Sequence, residues 1–266
     1  MNGRCTLVVP CYNEASRLDA EAFLAFADSR EGAPALLFVD DGSRDDTRMI
    51  LAGLCSRSPG RISLVALDRN QGKAEAVRTG LRAALAGGAS VVGYMDADLS
   101  TSTPEMQRLI ELYHASGMEV LMGARVSLLG REVRRQPARH YLGRIFASAA
   151  SWALKLPVYD TQCGAKLFKS TPALESALQR PFLSSWAFDV ELLGRLLVGD
   201  GSGNRLAPDR ILEEPLRAWR HKPGSKLSAW HMLRAGLDMV RIARVMARER
   251  HASVKRGAGV SSPAWH

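Results

Sequence analysis

The sequence predicts an α/β protein with a mostly parallel central sheet. Over the first 125 residues, short apolar runs alternate with longer stretches whose apolar positions recur at helical spacing. Each apolar run stops in a cluster of polar residues. The 266 residues, 46% hydrophobic and 24% charged, can bury a sizeable core and carry no low-complexity bias. Strand and helix alternating along a chain is the pattern of βαβ units, which put helices on both faces of the sheet.

Taken in order, the strands are expected at Thr6–Val9, Leu36–Val39, Ser63–Leu67, Ser90–Met95 and Glu119–Met122. Helices are expected between them at Glu14–Asp28, Asp45–Ser56, Gln71–Ala86 and Pro104–Ser116. The polar clusters are Pro10-Cys11-Tyr12-Asn13-Glu14, Asp40-Asp41-Gly42-Ser43, Asp68 to Lys73, and Asp96-Ala97-Asp98. Ligands of open parallel sheets bind at the carboxyl ends of strands, so these clusters should line one rim. Beyond Arg125 come a basic stretch, a helix over Tyr141–Leu156, a loop at Asp160–Gly164, a helix over Trp186–Val198 and a strand over Arg210–Trp219 bearing Glu213 and Glu214.

Four cysteines are too widely spaced for a CxxC motif, and no signal peptide or apolar stretch of spanning length is present, so a reducing cytoplasmic setting is expected. The net charge is +9, and residues 201–266 hold 13 basic against 5 acidic residues, which invites an anionic partner. Nucleic acid is disfavoured because no aromatic-interleaved basic platform accompanies the charge.

Asp96 and Asp98 follow an apolar run, and residues i and i+2 of an extended chain point to one side. Two such carboxylates suit a hard divalent ion, Mg²⁺ or Mn²⁺. Lys73 follows Gly72 at a helix start, a place suited to phosphate. Together with the second acidic turn at Asp40 and Asp41, the set fits a metal-bound diphosphate. A dinucleotide fingerprint is absent, since the first strand runs into Pro10–Glu14 without glycine. A P-loop is absent too: Ala74 follows Gly72-Lys73, and position 67 is Leu. No histidine pair has metal-ligand spacing, and no Gly-x-Ser-x-Gly element is present.

In order and spacing, Val9–Glu14, Val39–Ser43 with Asp45 and Thr47, Asn70–Lys73 and Asp96–Leu99 resemble the motifs of family 2 inverting glycosyltransferases. Asp160–Gly164, Trp186–Leu193 and Gly224–Leu227 are similar to the dolichyl-phosphate β-glucosyltransferases and their bacterial polyprenyl-phosphate relatives. The resemblance covers residues 5–245 and implies a three-layer α/β/α GT-A fold, with residues 1–227 as catalytic domain. Residues 1–125 would be its nucleotide-sugar half and 126–227 its acceptor half. It also implies that Pro10, Tyr12, Asn13, Glu14, Asp40, Asp41, Gly42, Ser43, Gly72, Lys73, Asp96 and Ala97 border the nucleotide sugar. Asp96 and Asp98 would hold the metal, and Arg125, Arg135 and Arg139 the acceptor phosphate. The implied donor is a UDP-sugar, UDP-glucose first, and the implied acceptor a polyprenyl phosphate. Ala165 departs from the phenylalanine usual in relatives, and the transmembrane helices of many bacterial relatives are not found.

The chemistry leaves the acceptor open. A phosphate is already largely dianionic near pH 7, its second pKa being about 6, and needs positioning rather than a strong base. A hydroxyl acceptor would need a carboxylate base, for which Asp160, Asp189 and Glu191 are the candidates. A non-catalytic nucleotide-sugar-binding protein is the remaining class. Last, a helix is expected over residues 228–250, with Met232, Met239 and Met246 opposite Arg234, Arg241 and Arg248, and a disordered tail over 251–266. Such a helix either packs on its own domain or lies on an anionic membrane surface, making the protein peripheral on the cytoplasmic face.

Overall fold

A computed structural model of the chain describes residues 4–29, 32–134, 137–220 and 229–258, without the side chains of 134–142, 229–235 and 252–258. The strands are β1 (Cys5–Cys11), β2 (Ala35–Asp40), β3 (Ile62–Ala66), β4 (Val91–Met95), β5 (Val120–Ala124), β6 (Glu132–Arg134), β7 (Ala165–Lys169), β8 (Ile211–Pro215) and β9 (Ala218–Arg220). The helices are α1 (Ala20–Ala27), α2 (Thr47–Arg57), α3 (Lys73–Ala86), α4 (Thr103–Ser116), α5 (Pro137–Leu154), α6 (Pro172–Ala177), α7 (Phe188–Val198) and α8 (Ala229–Ala258).

Seven strands form the central sheet in the order β3-β2-β1-β4-β7-β5-β8, and β6 pairs with β9 apart from it. Every pairing in the large sheet is parallel except those of β7, which runs antiparallel to both β4 and β5. Helices cover both faces. Phe23 and Phe26 of α1, Leu51 and Leu54 of α2, and Met106 and Leu109 of α4 pack with Leu7, Val9 and Phe38 on one side. Val77 and Leu81 of α3, Ala150 and Leu154 of α5, Leu192 and Leu193 of α7, and Met239, Ile242 and Met246 of α8 join Val8, Val39 and Tyr94 in the core on the other. The β1–β4 register stops at Val8, so Pro10, further along a central strand, removes no hydrogen bond on that side.

Several sequence expectations are corrected. Helix α1 starts at Ala20 rather than Glu14, because Asn13 adopts φ 52° and the amides of Asn13, Glu14 and Ala15 bond to side chains of the Ser43–Thr47 turn. The helix begins only where Asp19 accepts from the Ala22 amide. The expected strand over Arg210–Trp219 is broken: Ile211–Pro215 joins the sheet, while Ala218–Arg220 pairs with β6. Strand β7 and helix α6 were not expected. Helix α8 continues to Ala258, which removes residues 251–258 from the expected tail; residues 259–266 lie outside the described residues. The two expected halves share one sheet, since β7 and β8 flank β5.

Candidate active site

The carboxyl ends of β1, β2, β4 and β5 meet on one rim. The first two loops are stitched together there. The Asn13 amide donates to Ser43 Oγ (3.0 Å), Glu14 to Thr47 Oγ1 (2.8 Å), Ala15 to Asp45 Oδ2 (3.1 Å), and Arg44 to Asn13 Oδ1 (2.9 Å). Glu14 pairs with Arg17, while Tyr12 stands exposed on the surface. Asp40 is fully buried, with Oδ2 on Arg48 Nε (2.7 Å) and Oδ1 accepting from the Ser43 amide (3.1 Å).

Asp41 holds the next loop. Its carboxylate accepts from the amides of Gln71 (2.7 Å) and Gly72 (2.8 Å) and from Asn70 Nδ2 (2.9 Å). Burial outweighs these bonds and pushes its carboxyl above the ordinary range. These bonds fix the turn that starts α3. Gly42, at φ +67°, is required there: a Cβ would stand 2.4 Å from the carbonyl carbon of Arg69. Gly72, at φ 91°, caps α3 and sets Lys73 at its first position.

Lys73 Nζ pairs with Asp96 Oδ1 across the rim. Burial works against both charges; for Asp96 it is outweighed by Lys73, with Arg125 and Lys166 adding, and the carboxyl is held below the ordinary range. Lys73 is raised, since Asp96 and Asp189 outweigh its burial. Asp98 Oδ1 accepts from the amide (2.9 Å) and hydroxyl of Ser100 in a turn where Leu99 takes φ 54°. Oδ2 of Asp98 has no hydrogen-bond partner among the described residues. Ala97, between the two carboxylates, is only 4% exposed, its methyl packed into the core beneath the rim.

These carboxylates suit a hard divalent ion. No group of three or more His, Cys, Asp or Glu among the described residues forms a closed cage. One or two carboxylates, with other positions left to phosphate oxygens and water, is how Mg²⁺ or Mn²⁺ is held on a diphosphate. Gly164 is built against the same place, since a Cβ there would lie 2.0 Å from Asp96 Oδ2.

Arg125 ends β5 in a two-toothed pair with Asp160, Nε to Oδ2 at 2.6 Å and Nη2 to Oδ1 at 2.8 Å. Its own amide also donates to Asp160 (3.0 Å), and its guanidinium lies 5.4 Å from the ring centre of Trp219. Burial opposes its charge, but Asp160 raises the guanidinium's pKa well above its ordinary value. The loop is fixed from below by Glu213, which accepts from the amides of Tyr159 (2.8 Å) and Asp160 (2.5 Å). Arg135 lies outside the described residues; Arg139 lies in α5, its side chain outside them.

Asp189 and Glu191, two of the candidate bases, are both buried and paired with cations. Asp189 is buried behind the rim, accepting from Lys166 Nζ (2.8 Å) and from the Tyr94 hydroxyl. Glu191, 3% exposed, pairs with Arg195 (2.6 Å) and accepts from the Leu183 amide (2.8 Å). Glu191 supports the loop before α7, and Asp189 ties that helix to β4 and β7. Sequence reasoning missed Lys166, 1% exposed and bonded to the Cys163 carbonyl (2.5 Å), and assigned Glu213 no role. A lone lysine inside the apolar run Ala165–Phe168 was the available signal. Ala165 is itself buried in β7.

Residues 6–173 match the family described as Glycosyl transferase family 2. Among similar proteins is the dolichyl-phosphate beta-glucosyltransferase ALG5C of Trichomonas vaginalis, 29% identical over 90% of this chain and 70% of its own length. Another is the dolichyl-phosphate beta-glucosyltransferase of Drosophila melanogaster, 29% identical over 89% and 73%. A polyprenol monophosphomannose synthase of Mycolicibacterium smegmatis is 26% identical over 73% of this chain and 72% of its own. Glucosyl-3-phosphoglycerate synthase of Mycobacterium tuberculosis, solved with UDP, shares the fold at TM-score 0.64 and 17% identity over 91% of this chain and 80% of that one. The same enzyme has been solved with Mn²⁺ and UDP-glucose, at TM-score 0.62, 16% identity and coverage of 94% and 80%. With its GT-A sheet and its rim of loops, the chain belongs to glycosyl transferase family 2 and is a glycosyltransferase.

Proposed function

We propose that the enzyme transfers glucose from UDP-glucose to the phosphate of a polyprenyl lipid with inversion at the sugar carbon, working at the cytoplasmic face of a membrane. Several relatives are named for glucosyl transfer to dolichyl phosphate, and the solved neighbour carries UDP-glucose and Mn²⁺. On this reading the loops at Pro10–Glu14 and Asp40–Ser43 border the nucleotide, and Asp96 and Asp98 would hold Mg²⁺ or Mn²⁺. The ion would neutralise charge growing on the departing diphosphate. Lys73, at the start of α3 beside Asp96, adds a cation on the same side.

The observation that carries the acceptor assignment is the Arg125–Asp160 pair. Asp160 takes the Nε and Nη2 edge of the guanidinium and fixes its plane, and Nη1 has no hydrogen-bond partner among the described residues. The edge formed by Nη1 and the second Nη2 hydrogen fits two phosphate oxygens. Each carboxylate that a hydroxyl acceptor would need as a base is engaged by a cation: Asp160 by Arg125, Asp189 by Lys166, Glu191 by Arg195. A phosphate dianion needs none of them.

The test is Arg125→Ala. Loss of a charge-assisted phosphate contact should lower kcat/KM for the lipid phosphate by roughly tenfold to a hundredfold. UDP affinity, read by titration calorimetry, should change little. An equal loss of UDP affinity would put Arg125 on the donor side and overturn the assignment.

A further inference from the structure

We propose that the enzyme docks on anionic lipid bilayers through the outer face of α5 and α8, with Ile145, Trp152, Leu237 and Val240 entering the interface and a row of arginines meeting the headgroups. The inference rests on the lipid-phosphate reading above and names the surface that would serve it. It also replaces the methionine face as the candidate membrane surface: Met239 and Met246 are 5% and 2% exposed, packed into the core, and a Cβ on Gly194 of α7 would touch Met246. The side chains of Met232 and Arg234 lie outside the described residues.

What remains outward is unusual for a soluble surface. Ile145 and Trp152, one heptad apart on α5, are 69% and 74% exposed, opposite the buried stripe Ala147, Ala150 and Leu154. On α8, Leu237 and Val240 are 57% and 46% exposed, in one stripe with the exposed Arg241, Arg244 and Arg248. Both helices pack on α7 and on each other, and Arg250 Nη2 bonds to the carbonyls of Ala153 and Leu154, so the outward stripes form one face. An aromatic and aliphatic stripe bordered by arginines complements an anionic headgroup layer over an apolar interior.

The face is joined to the site. Arg144, beside Ile145, stacks 4.2 Å from the ring centre of Tyr159, the neighbour of the Asp160 that holds Arg125. Between Arg125 and β6 the chain also exposes Leu128 and Leu129, the latter fully. On this proposal a lipid phosphate would reach Arg125 from the docked side, past Arg144 and Tyr159.

The experiment is co-sedimentation of the full chain with phosphatidylglycerol-containing and with pure phosphatidylcholine vesicles, at low and high salt. Each protein is paired with a transfer assay on a short, water-soluble prenyl phosphate. Wild type should bind the anionic vesicles at low salt. I145S/W152S and R241Q/R244Q/R248Q should each lower partitioning by roughly tenfold, high salt should mimic the second, and Met49→Ser, exposed on α2, should bind as wild type. Transfer to the short acceptor should be unchanged in all of them. Equal binding by wild type and both variants, or no binding by wild type, overturns the docking face. So does a dimer, seen by light scattering, that I145S/W152S abolishes without any vesicle binding. Vesicle binding as expected with no transfer to the short acceptor would instead overturn the lipid-phosphate reading.

Discussion

Lys73 and Asp96 face each other across the rim with their ionised forms favoured in both directions, Asp96 below its ordinary 3.8 and Lys73 above its ordinary 10.5. A depressed acid contributes stability above its unfolded pKa and loses it as pH falls through the folded value. A raised base contributes below its unfolded pKa and loses it as pH rises through the folded value. The metal-free wild type should therefore gain most in melting temperature over Lys73→Met between pH 3.8 and 10.5, and the gain should shrink on either side. A gain independent of pH would show that the pair is not what Lys73 contributes. Asp98→Asn should abolish Mn²⁺-dependent UDP binding in calorimetry and cost at least about a hundredfold in turnover, with the melting temperature nearly kept, as expected for a group that holds a catalytic ion. Gly164→Ala should act through Asp96, moving its carboxylate off Lys73; unaltered turnover would show that the close approach there is dispensable.

At the scale of elements, α3 lies so close to the sheet that a Cβ at Gly80 would stand 2.4 Å from Val8 Cγ1 and 2.9 Å from Val39 Cγ2. Both neighbours are β-branched and cannot turn aside, so Gly80→Ala should destabilise by about 1–3 kcal/mol in urea unfolding despite alanine's better helix propensity. A neutral or stabilising result would mean that α3 can lift from the sheet. The parallel strands and the first four helices were legible because apolar runs and amphipathic stretches alternate without interruption up to Arg125. Strand β7 was not: its five residues carry Lys166 and Lys169, and burying Lys166 depends on Asp189 and the Cys163 carbonyl, partners that only the tertiary fold supplies. The same limit applied at the site. Motif spacing pointed to Lys73, Asp96 and Asp98, and the family resemblance to Arg125, but whether Asp189 and Glu191 face the rim or the interior is decided by Lys166 and Arg195.

The whole molecule arranges two charges of opposite use along one sheet edge. Carboxylates and Lys73 gather at the ends of β2 and β4, where a diphosphate would leave, and the guanidinium of Arg125 stands at the end of β5, where a second phosphate would arrive. Gly164 links the two, because the Asp160 loop that orients Arg125 also presses against Asp96. The central claim is that the acceptor atom is a phosphate oxygen. It is tested by incubating the enzyme and Mn²⁺ with labelled UDP-glucose and either a polyprenyl phosphate or the matching polyprenol, and identifying the organic-phase product by NMR. A β-glucosyl phosphodiester formed from the phosphate, with no product from the alcohol, is the predicted result; glucosylation of the polyprenol at a comparable rate would contradict it.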